Sequence, residues 1–156
     1  MVIIGIDPGT TRLGYGVIED SKHGIKCLTY GILGTKGTSH TNNLVQISSE
    51  LKKILARYKP SAGAVERLFF TANQKTGMAV SEVRGVVLLT LAERGMKITE
   101  FTPQEVKRSL SGYGGAGKGQ IQNALRLILK MSDIIKPDDA ADAVAIAICG
   151  ATQKDY

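Results

Sequence analysis

Short apolar runs and apolar residues at helical spacing follow one another along this chain, and their order predicts a mixed sheet covered by helices. Val2 to Ile6 reads as a buried strand, followed by the turn Asp7-Pro-Gly-Thr10, in which Pro fixes φ and Gly permits the reversal. Leu13 to Glu19 and Ile25 to Leu33 predict two more strands, which complete an antiparallel meander. Leu44, Ile47, Leu51, Ile54 and Tyr58 then recur at steps of three and four, the pattern of an amphipathic helix, and Pro60 ends it. Ala62 to Glu66 is a short strand, Asn73 to Arg94 a long helix and Lys97 to Thr102 a fifth strand. In Thr102-Pro-Gln-Glu105, Thr suits an N-cap, Pro the first helical position and Glu the third, so a helix starts there. A Gly-rich loop from Gly112 to Gly117 precedes another helix from about Lys118, and a last helix runs from about Asp138 to Gly150. This order predicts an α/β fold, a mixed five-stranded sheet with helices on both faces.

The long helix carries Val83, Val86, Val87, Leu88, Leu89 and Leu91, so apolar groups surround its second half. Such a helix is buried on more than one side, either in the core or partly against another subunit. At 156 residues the chain is expected to form one domain, spanning 1–156. No apolar run approaches the roughly 20 residues of a membrane span, and the start lacks the basic segment and cleavage site of a signal peptide. A cytoplasmic location without membrane contact is therefore expected. Cys27 and Cys149 form no CxxC or Cys/His cluster and read as buried free thiols. His23 and His40 lie in polar connecting segments and form no recognisable constellation. The net charge of +6 favours a polyanionic partner, and its distribution adds to that. From Phe101 to Lys130 there are five basic residues against the single acid Glu105.

Four carboxylates stand where apolar segments have no structural need of them. Asp7 and Glu66 close apolar strands, and Asp142 interrupts the Ala-rich last helix three residues after Asp139. Unpaired carboxylates in such places are costly unless a positive partner meets them, and no Lys or Arg is adjacent to Asp7 or Asp142. Asp139 and Asp142 share a helical face, while Asp7 and Glu66 stand at strand ends, where α/β sheets place their sites. If the first and fourth strands are neighbours, the four converge as hard oxygen donors suited to Mg²⁺ or Mn²⁺. Two such ions can drive phosphodiester cleavage. Capping explains acids at a helix start, Asp138 and Asp139 included, but not Asp142.

Four ordered segments carry a further indication: Ile4-Gly-Ile-Asp-Pro-Gly-Thr10 with Gly14-Tyr-Gly16, Val65-Glu-Arg-Leu-Phe69, the stretch from Val106-Lys107 to Lys118, and Pro137-Asp-Asp-Ala-Ala-Asp-Ala143. Together they resemble the RuvC Holliday-junction resolvases over nearly the whole chain. The resemblance implies an RNase H-like fold and a homodimer that nicks four-way junction DNA symmetrically, leaving 5′-phosphate ends. It also implies Mg²⁺, with two ions per active site and Mn²⁺ as a substitute, and coupling to the RuvA and RuvB branch-migration proteins. Carried onto matching positions, it makes Asp7, Glu66, Asp139 and Asp142 the metal-binding catalytic acids. Lys107 and Lys118 match basic residues of the active site and backbone contacts, and Phe69 matches an aromatic at the junction centre. The third acid can be His in that family, and here it is Asp139.

Gly112-Tyr-Gly-Gly-Ala-Gly-Lys118 also fits GxxxxGK, yet Gly119 replaces the metal-ligating Ser or Thr, and a helix rather than a strand precedes it. A mobile loop whose Lys118 reaches a DNA phosphate fits better. Three other readings remain at this stage: an actin-like ATPase, from Gly5 to Thr11; a related nuclease acting on ribosomal RNA precursors; and a non-catalytic DNA-binding module. The first needs a second lobe, the second does not share the Glu66-to-Phe69 segment, and the third leaves the four acids unexplained.

Overall fold

In the computed structural model, which describes residues 1–35, 39–67 and 74–153, the strands form one sheet in the order β3-β2-β1-β4-β5. Strands β1 (Val2–Pro8), β2 (Leu13–Ser21) and β3 (Gly24–Leu33) form the expected meander. β4 (Ala62–Glu66) joins β1 in parallel, and β5 (Lys97–Phe101) joins β4 in the same sense. Successive side chains of a strand point to opposite faces, which divides the core in two. Ile3, Ile18, Ala62 and Ala64 face one layer, whereas Ile4, Ile6, Val17 and Val65 face the other.

β1 continues through Asp7 and Pro8, which pair with Gly14 and Leu13, so the expected turn begins later, at Gly9. Pro8 is tolerated as the last residue of the strand, where its missing N–H is not needed. β5 ends at Phe101 rather than Thr102, because Thr102 caps the helix that follows.

Helices α1 (His40–Tyr58) and α2 (Gln74–Ala92) cover the second face. Ser39 caps α1 by accepting from the Asn42 N–H, and Lys59 closes it in the left-handed region, one residue before Pro60. Ile47, Leu51 and Leu55 are its buried stripe, with Leu44, Ile54 and Tyr58 on the flanks. His40, expected in a connecting segment without partners, begins α1 and pairs with Glu82 of α2. α2 buries Val83, Val87 and Leu91 against the sheet but leaves Met78 and Leu89 exposed. It is thus a covering helix with apolar residues on its outer side. Cys149 is buried and Cys27 half-buried, both as free thiols. Among the described residues, no helix is long and apolar enough to cross a membrane.

The first face carries α3 (Pro103–Ser111), α4 (Lys118–Ile128) and α5 (Asp138–Thr152). The capping box expected at α3 is present: the Glu105 N–H donates to Thr102 Oγ1 at 3.2 Å, and the Thr102 N–H to Glu105 Oε2 at 2.7 Å. α5 lies almost on the sheet backbone. A Cβ on Gly5 would overlap the Ala143 carbonyl, one on Gly14 the Asp139 carbonyl, and one on Gly16 Val144. Glycines in β1 and β2 meet an Ala-rich helix, which lets backbone pack on backbone.

Gly5→Ala should therefore destabilise the protein by about 3 kcal/mol, near the upper range for overpacking, because its obstacle is backbone and cannot rotate away. Gly119→Ala, in a helix with nothing near its Cβ, should instead be neutral or stabilising by up to about 1 kcal/mol. Urea unfolding of both variants checks the contrast.

Candidate active site

Strand register brings the first two acids together. Ile6 of β1 stands beside Val65 of β4, so the next residues, Asp7 and Glu66, end up side by side at the C-terminal edge. The alternation that sends Ile6 and Val65 to the α1 and α2 layer turns both carboxylates towards α5. There Asp142 joins them, because the contacts of Gly5 and Gly14 with α5 hold its first turns over the end of β1.

The electrostatics show how close the three are. Burial, followed by the charges of Glu66 and Asp142 and a hydrogen bond with Glu66, raises the Asp7 carboxyl from 3.8 to about 8. Near neutral pH Asp7 is therefore protonated and donates to the Glu66 carboxylate. Glu66 is itself raised, chiefly by burial, although the Asp7 hydrogen bond opposes this. Burial raises Asp142 as well, Lys118 and Lys107 pull it down, and Asp138 and Asp139 push it up. Part of Asp142 reaches solvent at the mouth of the site, yet the desolvation of its carboxyl is the largest effect and, with the neighbouring acids, outweighs the two lysines.

Asp138 and Asp139 are each matched by a cation. Arg12, from the turn between β1 and β2, places its Nε 2.9 Å from Asp139 Oδ2. Lys118 places its Nζ 2.6 Å from Asp138 Oδ2, and that hydrogen bond is the main cause of its raised pKa. Lys118 is the first residue of α4, where a helix was expected to begin, so it stands at the end of the Gly-rich loop rather than within it. The preceding segment is pinned: Gly112 caps α3 in the left-handed region, and Ser111 Oγ donates to the Lys107 carbonyl and accepts from the Tyr113 N–H. A helix and not a strand precedes it, as the sequence indicated, which speaks against a phosphate-binding reading of GxxxxGK.

A cavity of about 250 Å³ opens beside the acids, with Glu66, Asp142, Lys107 and Lys118 at its polar side and Val106 and Ile121 among its apolar walls. The donor chemistry fits a hard divalent cation: carboxylates converge, repel each other and retain a proton where a cation would replace it. Among the described residues, no group of three or more acidic, His or Cys side chains is arranged to hold an ion as it stands. Asp138 and Asp139 are engaged in ion pairs, and Asp7 is hydrogen-bonded to Glu66.

Phe69, with its neighbour Phe70, lies outside the described residues. Arg12 was not singled out from the sequence, where it is one charged residue in a turn; only the β1–β2 register and the seat of α5 bring it to Asp139. Arg84 and Arg67 also escaped notice. Both pair with Glu100 of β5, at 2.5 Å and 3.8 Å, on the opposite face of the same sheet edge.

The sequence profile of the family described as crossover junction endodeoxyribonuclease RuvC matches residues 3–150. The chain belongs to the RuvC family. It is 47% identical to the crossover junction endodeoxyribonuclease RuvC of Roseiflexus sp. (strain RS-1) over 147 residues, which cover 94% of this chain and 88% of that protein. The structure of Thermus thermophilus RuvC superposes with a TM-score of 0.89 at 32% identity, covering 97% of this chain and 93% of that one. A second structure, of T. thermophilus RuvC in complex with a Holliday junction substrate, gives 0.88 at 29% identity with the same coverage. The RNase H-like α/β fold is thus established, and the chain is an enzyme of the RuvC nuclease class. Membership removes the actin-like, ribosomal RNA and non-catalytic readings.

The raised Asp7 makes the protein's stability depend on pH in a defined direction. The unfolded chain releases this proton near 3.8 while the folded one keeps it until about 8, so metal-free stability falls as pH rises through that window. Asp7→Asn removes the penalty. In EDTA, the variant should gain more in melting temperature over the parent at about pH 8.5 than at about pH 4.5. Equal gains at both values would contradict the raised pKa.

Proposed function

We propose that this RuvC-family enzyme resolves Holliday junctions in recombination and repair by symmetric, metal-dependent nicking of two strands of like polarity, leaving 5′-phosphate ends. The observation that carries the reading is the convergence of Asp7, Glu66 and Asp142 at one sheet edge beside Lys107 and Lys118, in a chain whose relative is described in complex with a Holliday junction substrate. Asp7, Glu66 and Asp142, with Asp139 as a fourth, would hold Mg²⁺, two ions being the complement that four carboxylates suit and Mn²⁺ a substitute. When bound, the ions supply activation of the attacking water and stabilisation of charge on the leaving oxygen.

The protein's own groups bind and orient. Lys107 and Lys118 flank the cavity mouth and lower the cost of bringing a DNA phosphate to an acidic centre. Lys118 leaves Asp138 to do so, and the exchange of one exposed carboxylate for a phosphate costs little. The Asp7 proton must depart before all the acids act as ligands, as metal sites generally require. Phe69 is assigned to the junction centre on family grounds, stacking on an unpaired base. A homodimer supplies two such sites to a two-fold junction, and the exposed Met78 and Leu89 of α2 offer it an apolar surface. Coupling to RuvA and RuvB belongs to the same reading.

Incubation with a mobile four-way junction, a linear duplex and a structured RNA, each with and without Mg²⁺, tests it. Paired nicks are expected in the junction alone and only with the metal. Asp7→Asn, which stabilises the fold, should keep junction binding while cleavage falls by about a hundredfold or more, since even an outer partner of a metal site is worth roughly 10- to 100-fold. Equal cutting of all three substrates, or parental nicking by the variant, would overturn the assignment.

A further inference from the structure

Asp139 differs from the other three acids in having its charge already matched. Arg12 Nε stands 2.9 Å from Asp139 Oδ2, and both side chains are close to half exposed. Guanidinium does not lose its proton in proteins, so the match persists until the side chain itself moves. Both backbones are fixed independently of this ion pair. The turn bearing Arg12 is anchored where the Asn43 side-chain amide, on α1, donates to the Thr11 carbonyl at 2.5 Å, and Asn43 is itself buried. Gly9 lets the turn close, because a Cβ there would overlap the Arg12 carbonyl. On the other side, the Asp139 carbonyl rests against Gly14. Two anchored backbones thus present one cation to one carboxylate, and rotation of a side chain is enough to separate them.

We propose that Arg12 is a positioning residue that holds Asp139 in the resting site and competes with the divalent cation for it, thereby setting the metal affinity of the site. The proposal rests on the metal-dependent reading above. Arg12 covers one ligand oxygen of Asp139, and that contact opposes the binding of a cation at the same carboxylate. Asp139 consequently has two states, paired with Arg12 or ligating the metal. The same arrangement offsets part of the charge that Asp139 turns towards Asp142, three residues away on the same helical face.

Calorimetric titration of Mn²⁺ into the DNA-free protein tests this. Arg12→Gln should bind Mn²⁺ about two- to fivefold more tightly than the parent, the range that a half-exposed ion pair warrants. In an Asp139→Asn background the same substitution should have no effect, because the contested carboxylate is gone. Unchanged or weaker binding by Arg12→Gln would overturn the proposal, as would a gain of equal size in the Asp139→Asn background, which would mark Arg12 as a diffuse charge. Absence of Mn²⁺ binding in the parent would instead overturn the metal-dependent reading and the inference with it.

Discussion

Backbone contact between α5 and the glycines of β1 and β2 is the constraint on which the site depends. Gly5, Gly14 and Gly16 have no Cβ, and the helix carries mostly Ala where it crosses them, so it sits closer than a helix with larger side chains could. That seat places Asp142 beside Asp7 and Glu66, and Asp139 beside Arg12. A helix lifted by even one methyl layer would separate the acids and weaken their mutual repulsion, which falls with distance. The small residues thus determine the electrostatics as well as the packing.

The resulting centre has more negative charge than its surroundings match. Asp138 and Asp139 take Lys118 and Arg12, while Asp7 and Glu66 share a proton. Asp142 is pulled down by two lysines and still ends above its ordinary value. On the proposed reading each of these arrangements is exchangeable: the proton leaves with rising pH, a phosphate would offer Lys118 an alternative partner, and rotation of the Arg12 side chain would free Asp139. The fold would then hold the acids in a metal-free form that a divalent cation converts. The basic stretch from Phe101 to Lys130 fits the same scheme, because α3 and α4 carry it along the flank of α5 to the mouth of the cavity.

Much of this was legible in the sequence, and the exceptions have physical reasons. Short apolar runs located the five strands, and apolar residues at steps of three and four, with cap and turn residues, located the helices. The Thr102–Glu105 capping box and the position of Lys118 at a helix start were readable because they are local. Asp7, Glu66 and Asp142 stood out as acids in apolar settings, and parallel pairing of β1 and β4 makes the first two neighbours. Arg12 was not legible, because an exposed turn residue acquires its partner only through long-range packing. For the same reason His40 looked isolated, although it meets Glu82 across two helices, and α2 looked buried all round although Leu89 points outward. The ion pairs at Asp138 and Asp139 are equally tertiary, so the sequence set Asp139 apart only as an acid that capping also explains, not as the partner of Arg12.

The central claim is that a proton on Asp7 holds the place of a divalent cation. Its most direct measurement is the number of protons released when Mg²⁺ binds the DNA-free enzyme at pH 7, obtained from calorimetry in two buffers of different ionisation enthalpy. With Asp7 raised to about 8, release of close to one proton per site is expected. Binding with no proton release would contradict the account.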